Sequence, residues 1–275
     1  MKTSRVLLYD DYCPLCSWYS GLFVKFGLLK AKNRIPFSKA DMEILASIDV
    51  EKGKDEIPYF DSQTKVTLYG IDALLEILGQ RAPFIKSIGN FAPVKWFLKR
   101  LYKLISYNRK VIVARQCGPG SFDCSPAFNS FYRMVFLCLF LVFNSVMLFP
   151  LHEHVFSRLS YYHLSYEQLQ GGHLVFVGVN CVLALFLNKR MAIEYLGQVN
   201  MLALVTILFL TLLLFVTAVL QVNEWVILLY LFLLTIFIIK EYFRRMQYAG
   251  IVTFHKFITA INIICLLLFL VYVFH

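Results

Sequence analysis

An α/β module over residues 1–115, followed by an all-α transmembrane bundle of about five helices over residues 128–275, is the architecture this sequence predicts. Three observations predict it. The 275-residue chain is 59% apolar and only 16% charged, with a mean hydropathy of +0.65, which is too apolar for a wholly soluble globule. The excess is not spread evenly, because the long apolar runs lie after Phe128. Before that point the chain is charged and rich in turns, and short apolar runs alternate with helix-spaced ones, the pattern of an α/β layer. Residues 116–127, rich in Cys, Gly and Pro, read as the link between the two parts.

Within the module, Val6-Leu7-Leu8-Tyr9 is a short apolar run that stops at Asp10-Asp11, as a buried strand would. Cys13-Pro14-Leu15-Cys16 then opens a stretch with helical spacing through Leu29. Residues 34–37, 57–60 and 66–69 are candidate strands, and Ile71 to Leu78 is a short helix after Gly70. Ile88 to Phe91 and Pro93 to Val113 read as helix rich in aromatic residues and Lys, a basic amphipathic connector toward the membrane.

Apolar windows of about 20 residues cross a bilayer, and five are found at 128–149, 171–187, 197–220, 223–239 and 254–274. Arg109, Lys110 and Arg115 precede the first window, Lys189 and Arg190 separate the second from the third, and Lys240, Arg244, Arg245 and Lys256 separate the fourth from the fifth. The opposite connections carry only Arg158. The positive-inside rule then puts the module and the 188–196 and 240–253 loops in the cytoplasm, and the 150–170 loop and His275 outside an inner (cytoplasmic) membrane. The opening Met-Lys-Thr-Ser-Arg is followed by too short an apolar core for a secretory signal, so the module is expected to stay on the inner side.

The formal net charge of +10 sits mainly in the module, which holds 19 Lys and Arg against 11 Asp and Glu. For a module tethered beside a bilayer, anionic lipid is the nearer partner for that charge, and nucleic acid is not expected.

The chemistry-bearing feature is the pair Cys13 and Cys16. With Cys13 at a helix N-terminus, both sulfurs fall in the first turn, close enough to bridge. The helix dipole favours a thiolate at the more exposed Cys13, which would attack, while Cys16 would resolve the mixed disulfide. Asp10 and Asp11 work against that thiolate, and Pro14-Leu15 supplies no cation to compensate. The alternatives are half of a zinc site or two inert thiols. A zinc site needs about four ligands, and Cys117 and Cys124 have the wrong spacing to complete it. No metal and no cofactor is expected.

The opening VLLYDDYCPLC resembles the YDG-x-C-x-x-C start of the DCC family of thiol-disulfide oxidoreductases, a thioredoxin-like group. Asp11 stands where that pattern has Gly. LYGIDALLEIL resembles the family's strand-Gly-x-x-Ala helix segment, and LYKLISYNR resembles its closing helix, with Tyr102, Asn108 and Arg109 at the matching positions. The resemblance covers about residues 5 to 115 and none of the membrane windows. It implies a thioredoxin-like fold, redox activity at Cys13 and Cys16, and a cis-proline facing the dithiol. Ile57-Pro58 is the candidate, with the backbone of Ile57 offered to a substrate strand. A trans proline opening an edge strand is the alternative.

Three further groups carry candidate chemistry. Cys117 and Cys124 would form a second dithiol able to relay electrons to Cys13 and Cys16, or a reduced loop. Cys138, Cys181 and Cys265 fall near the middle of the first, second and fifth windows, where packing is the default and a conduit of reducing equivalents the alternative. His152, His154, His163 and His173 would hold a metal or a quinone headgroup, or simply line the membrane edge; Arg133 and Glu194 are expected to snorkel. The reading is a membrane-anchored thiol-disulfide oxidoreductase acting on a protein or small-thiol partner. Its alternatives are a non-catalytic scaffold or assembly subunit of a membrane complex, and a transmembrane conduit.

Overall fold

The computed structural model describes residues 5–115 and 126–274. Cys117 and Cys124 lie outside the described residues. The chain divides into two compact units, Met1–Tyr132 and Arg133–His275, a boundary a few residues past the predicted linker.

The first unit is built on a mixed four-stranded sheet. Its strands are β1 (Arg5–Tyr9), β2 (Arg34–Pro36), β3 (Pro58–Asp61) and β4 (Val66–Tyr69), in the order β2-β1-β3-β4. β1 is parallel to β2 and antiparallel to β3, which pairs antiparallel with β4. The helices are α1 (Pro14–Lys25), α2 (Met42–Ala46), α3 (Val50–Asp55), α4 (Gly70–Gly79), α5 (Pro83–Asn90) and α6 (Ala92–Val113). β1 is the central strand, and its two faces explain its unbroken apolar run. Leu7 packs with Ile57, Tyr59, Ala73 and Ile77 on one side, and Leu8 packs with Phe37 on the other. All four strands stand within a residue or so of their sequence-predicted positions. α1 ends at Lys25, short of Leu29, because Gly27 takes φ +65° and turns the chain. α2 and α3, between Asp41 and Asp55, were not anticipated; they are one or two turns long, and Asp49 caps the second through the amide of Lys52.

Gly70 is the tight point of this unit. It has φ +55° and donates its N–H to the Ile57 carbonyl, and a Cβ there would sit 2.9 Å from Glu56 Oε2 and 3.2 Å from Tyr102 Cε1. Only glycine lets α4 start against α6 in this way.

The second unit is an up-down bundle of α7 (Ser130–His154), α8 (Tyr166–Ala184), α9 (Lys189–Val219), α10 (Glu224–Tyr248) and α12 (Lys256–Phe274), with the single turn α11 (Ile251–Phe254) between the last two. Contacts fix the directions. Arg133 pairs with Glu194 at 3.2 Å and Asn200 reaches the Leu137 carbonyl, so α7 and α9 are parallel. Arg245 meets Gln198 and Tyr230 meets the Phe209 carbonyl, so α10 runs back. Tyr195 joins Asn180 of α8 to Asn262 of α12, and Tyr272 reaches Gln168, which sets those two helices against each other.

Four of these helices, α7, α9, α10 and α12, are long and apolar enough to cross a membrane. α8 occupies the second predicted window but falls short in apolarity, because its first two turns carry Glu167, Gln168, Gln170 and His173. Those turns belong to the helix through a Ser165–Gln168 capping box, within the stretch where the sequence predicts a loop. The predicted 188–196 loop is likewise the first turns of α9, capped by Asn188, and α10 continues through 240–248 on Glu241–Arg244 and Glu241–Arg245 pairs. Polar helix ends extend past the apolar core, so a hydropathy window cuts them off. Arg133 does not snorkel: it is buried against Glu194.

Candidate functional site

The site stands at the C-terminal end of β1. There the chain turns through Asp10, whose Oδ1 accepts the amides of Tyr12 (3.0 Å) and Cys13 (3.1 Å). Asp11 is not in the left-handed region, since Lys65 and Ala114 are the only non-glycine residues at positive φ among those described. The turn is therefore closed by the Asp10 side chain and needs no glycine at position 11. Asp11 instead accepts the Ser38 hydroxyl.

Cys13 is the N-cap of α1, with Pro14 at the first helical position, and its Sγ receives the Cys16 amide at 3.4 Å. The thiol is half-buried, whereas Cys16 on the first turn is buried. The Cys13 and Cys16 sulfurs and an Asp10 oxygen all lie within 4.8 Å of one another. Both cysteines are free thiols.

The compensating cation comes from α6. Arg109 is buried; its Nη1 lies 3.6 Å from Cys16 Sγ, and its Nη2 lies 3.6 Å from Asp10 Oδ2 and donates to the Lys54 carbonyl at 2.8 Å. α3, unanticipated in the sequence, supplies that carbonyl. Ninety-three positions separate Arg109 from Cys16, so spacing gave no sign of the contact. The one available signal was the match of Arg109 to the family's closing helix.

These contacts set the two thiols apart. The Cys13 thiol is brought down to about 7, first by the hydrogen bond from the Cys16 thiol, against burial, and then by the Cys16 amide and the Arg109 charge. Cys16 is pushed far up, first because it donates to Cys13 and then by burial. Burial also raises Asp10, with Arg109 opposing. One sulfur is thus an accessible thiolate near neutral pH, and the other holds its proton in reserve.

As a metal site the cluster offers three ligands, Asp10, Cys13 and Cys16, with the Arg109 guanidinium against two of them. The described residues add no fourth member to this group, and a structural zinc needs about four.

The expected cis bond at Ile57-Pro58 is not found: the described backbone has no cis peptide. The backbone of Ile57 is also already engaged, its N–H with the Tyr102 hydroxyl at 2.9 Å and its carbonyl with the Gly70 amide at 3.0 Å. Pro58 opens β3, as a trans proline at a strand start does. Tyr102 and Asn108, the other residues of the closing-helix resemblance, are structural ties: Tyr102 holds Ile57, and Asn108 donates to the Leu104 and Tyr132 carbonyls.

Of the remaining candidates, Cys138 and Cys181 face outward from the bundle and Cys265 is half-buried, all three free. Both ring nitrogens of His152 are engaged, with Glu153 and the Leu164 carbonyl, while His173 turns inward to a cavity described below.

No curated protein and no solved structure matches the chain. Residues 7–115 match the family model of the DCC1-like thiol-disulfide oxidoreductases, and it is to that family that this part of the chain, with the dithiol and its buried arginine, is similar.

Proposed function

We propose that the protein is a membrane-anchored thiol-disulfide oxidoreductase in which Cys13 and Cys16 exchange two electrons with a partner disulfide. The observation that carries this reading is the asymmetry of the pair: Cys13 half-buried with a thiol near 7, Cys16 buried beside Arg109 and Asp10.

In the reducing direction, the Cys13 thiolate attacks one sulfur of the partner disulfide, the partner's S–S bond breaks, and its other sulfur leaves as a thiolate. Cys16 then loses its proton. Its chief obstacle, the hydrogen bond to the Cys13 thiolate, vanishes once Cys13 is in the mixed disulfide, and Arg109 stabilises the new thiolate. Asp10 is the carboxylate placed to receive that proton. Attack of Cys16 on Cys13 Sγ closes the internal disulfide and frees the second partner thiolate, so the partner is reduced by two electrons and the dithiol oxidised by two.

The hollow beside Cys13 has a volume of about 20 Å³ and is lined by Asp10, Tyr12, Pro14, Arg109, Lys110, Val113 and Arg115. That is too small to enclose a ligand, which favours a protein disulfide docking over the rim. Lys110 and Arg115 favour acidic residues near the partner's disulfide. With the Ile57 backbone already engaged, the rim carries recognition in this proposal.

The charge of the bundle supports the proposed orientation. Seven of the eight Lys and Arg between residues 130 and 274 are at the end where α7, α9 and α12 begin, and only Arg158 is at the other. The positive-inside rule makes the first end cytoplasmic. The function test is trapping in intact membranes. Cys16→Ser should accumulate mixed disulfides through Cys13, and Cys13→Ser should not. A scaffold would give no mixed disulfide while still co-purifying with its partner, and that result would end the redox reading.

A further inference from the structure

The interior of the bundle is not filled. A cavity of about 260 Å³ is lined by residues of all five long helices, and its walls are almost wholly apolar. A cavity of about 150 Å³ already holds a benzene ring, so this one has room for a substituted or fused ring. Three polar atoms in its lining are buried and lack a hydrogen-bond partner, Asn144 Oδ1, His173 Nε2 and Asn262 Oδ1, and the Tyr242 hydroxyl stands beside Asn262 and Thr259. In hydrocarbon surroundings each such atom is costly, and polar side chains retained at that depth mark a site.

The ligand's chemistry follows from what lines the space. Among the described residues no Lys, Arg, Asp or Glu does, so none of them neutralises a phosphate or a carboxylate there. The orientation of Asn262 is fixed, because its amide NH2 donates to the Tyr195 hydroxyl, which itself donates to Asn180. Its free Oδ1 therefore calls for a donor. The polar atoms also stand at two levels. Asn180 shares the level of Asn262 through Tyr195, and His173 is seven residues away on α8, about 10 Å along the axis at 1.5 Å per residue. Two oxygens about 5 Å apart across a six-membered ring, with a hydrogen bond of about 2.8 Å at each end, span that interval.

We propose that the bundle cavity binds a neutral lipophile of the quinol/quinone class, one ring oxygen at His173 and the opposite one at Asn262 and Tyr242. This goes beyond the dithiol proposal and does not depend on it. The Oδ1 acceptors favour the quinol, whose hydroxyls donate, over the quinone.

The test uses the full chain in nanodiscs of synthetic phosphatidylcholine, with decylbenzoquinol as probe and binding measured by equilibrium dialysis under reducing conditions. Expected are one saturable site per chain, about tenfold weaker binding in His173→Leu and in Asn262→Leu, and loss of binding in Ala203→Phe, which fills the cavity. Cys13→Ser should bind as the native chain does. Circular dichroism confirms the fold of each variant, and Tyr242→Phe, which keeps the ring, should weaken binding severalfold. Equal competition by decylbenzene, which lacks the oxygens, or native-like binding by the folded polar variants, would overturn the proposal. So would competition by oleate or phosphatidic acid equal to that of the quinol, since it would show an anionic lipid site.

Discussion

At the residue scale, the acidity of the Cys13 thiol is tied to a partner far away in sequence. Arg109→Met removes the cation that faces Cys16 and Asp10, so the Cys13 thiol should titrate above its native value of about 7. A thiol whose value is lowered is thiolate above that pH and loses reactivity as the pH falls through it. Alkylation of Cys13 by iodoacetamide, followed against pH, should therefore rise through about 7 in the native chain. In Arg109→Met the whole profile should move upward, with a severalfold lower rate at neutral pH; an unmoved profile would remove Arg109 from the site. Asp10→Asn separates two roles. Its charge opposes the Cys13 thiolate, so first-step alkylation should be unchanged or faster. Loss of the proton acceptor for Cys16 should slow resolution about tenfold or more, seen as a longer-lived mixed disulfide with a model protein disulfide.

At the scale of elements, the helices α5 and α6 combine two properties. Residues 77–122 contain nine Lys and Arg and no Asp or Glu. The same helices expose Phe84, Ile88, Trp96, Phe97, Leu101 and Ile105. Lys95 and Lys99 turn to Asp72 of α4, while Arg100 lies over the Trp96 ring, so the apolar stripe faces away from the sheet. An interfacial helix has this make-up. In nanodiscs containing anionic lipid, a chain with Trp18→Phe and Trp225→Phe should show Trp96 fluorescence quenched by brominated acyl chains, and a Phe97→Ser, Leu101→Ser double change should relieve most of it. Within the α/β unit, Gly70→Ala should cost about 1–3 kcal/mol in unfolding experiments, since it places a side chain at positive φ against Glu56 and Tyr102.

At the scale of the whole molecule, the five long helices alternate in direction, and charge sorts to one end. Single cysteines introduced at Ser157 and at Lys256, in a chain otherwise free of cysteine, report the orientation. An impermeant maleimide added to intact cells should label the first and spare the second. The reverse pattern would place the basic end outside and contradict the positive-inside assignment. Labelling of both positions would contradict a closed bundle that spans the membrane.

The two-part architecture, the four strands, the dithiol at a helix mouth and four of the five membrane windows were legible in the sequence, because each is written in local periodicity or composition over a window of residues. The expectations that failed, or came up short, needed non-local information. The ends of α8, α9 and α10 are polar turns held by caps and ion pairs that hydropathy windows cannot see. The turn at Asp11 is shaped by the neighbouring Asp10 side chain, and the Ile57 backbone is taken by Tyr102 and Gly70. By itself the sequence determined that two sulfurs share one helical turn and that greasy helices follow. Only the tertiary structure supplied the cation that the local spacing lacks, because folding brings Arg109, ninety-three positions away, against Cys16 and Asp10 and out of water, where a single charge acts most strongly.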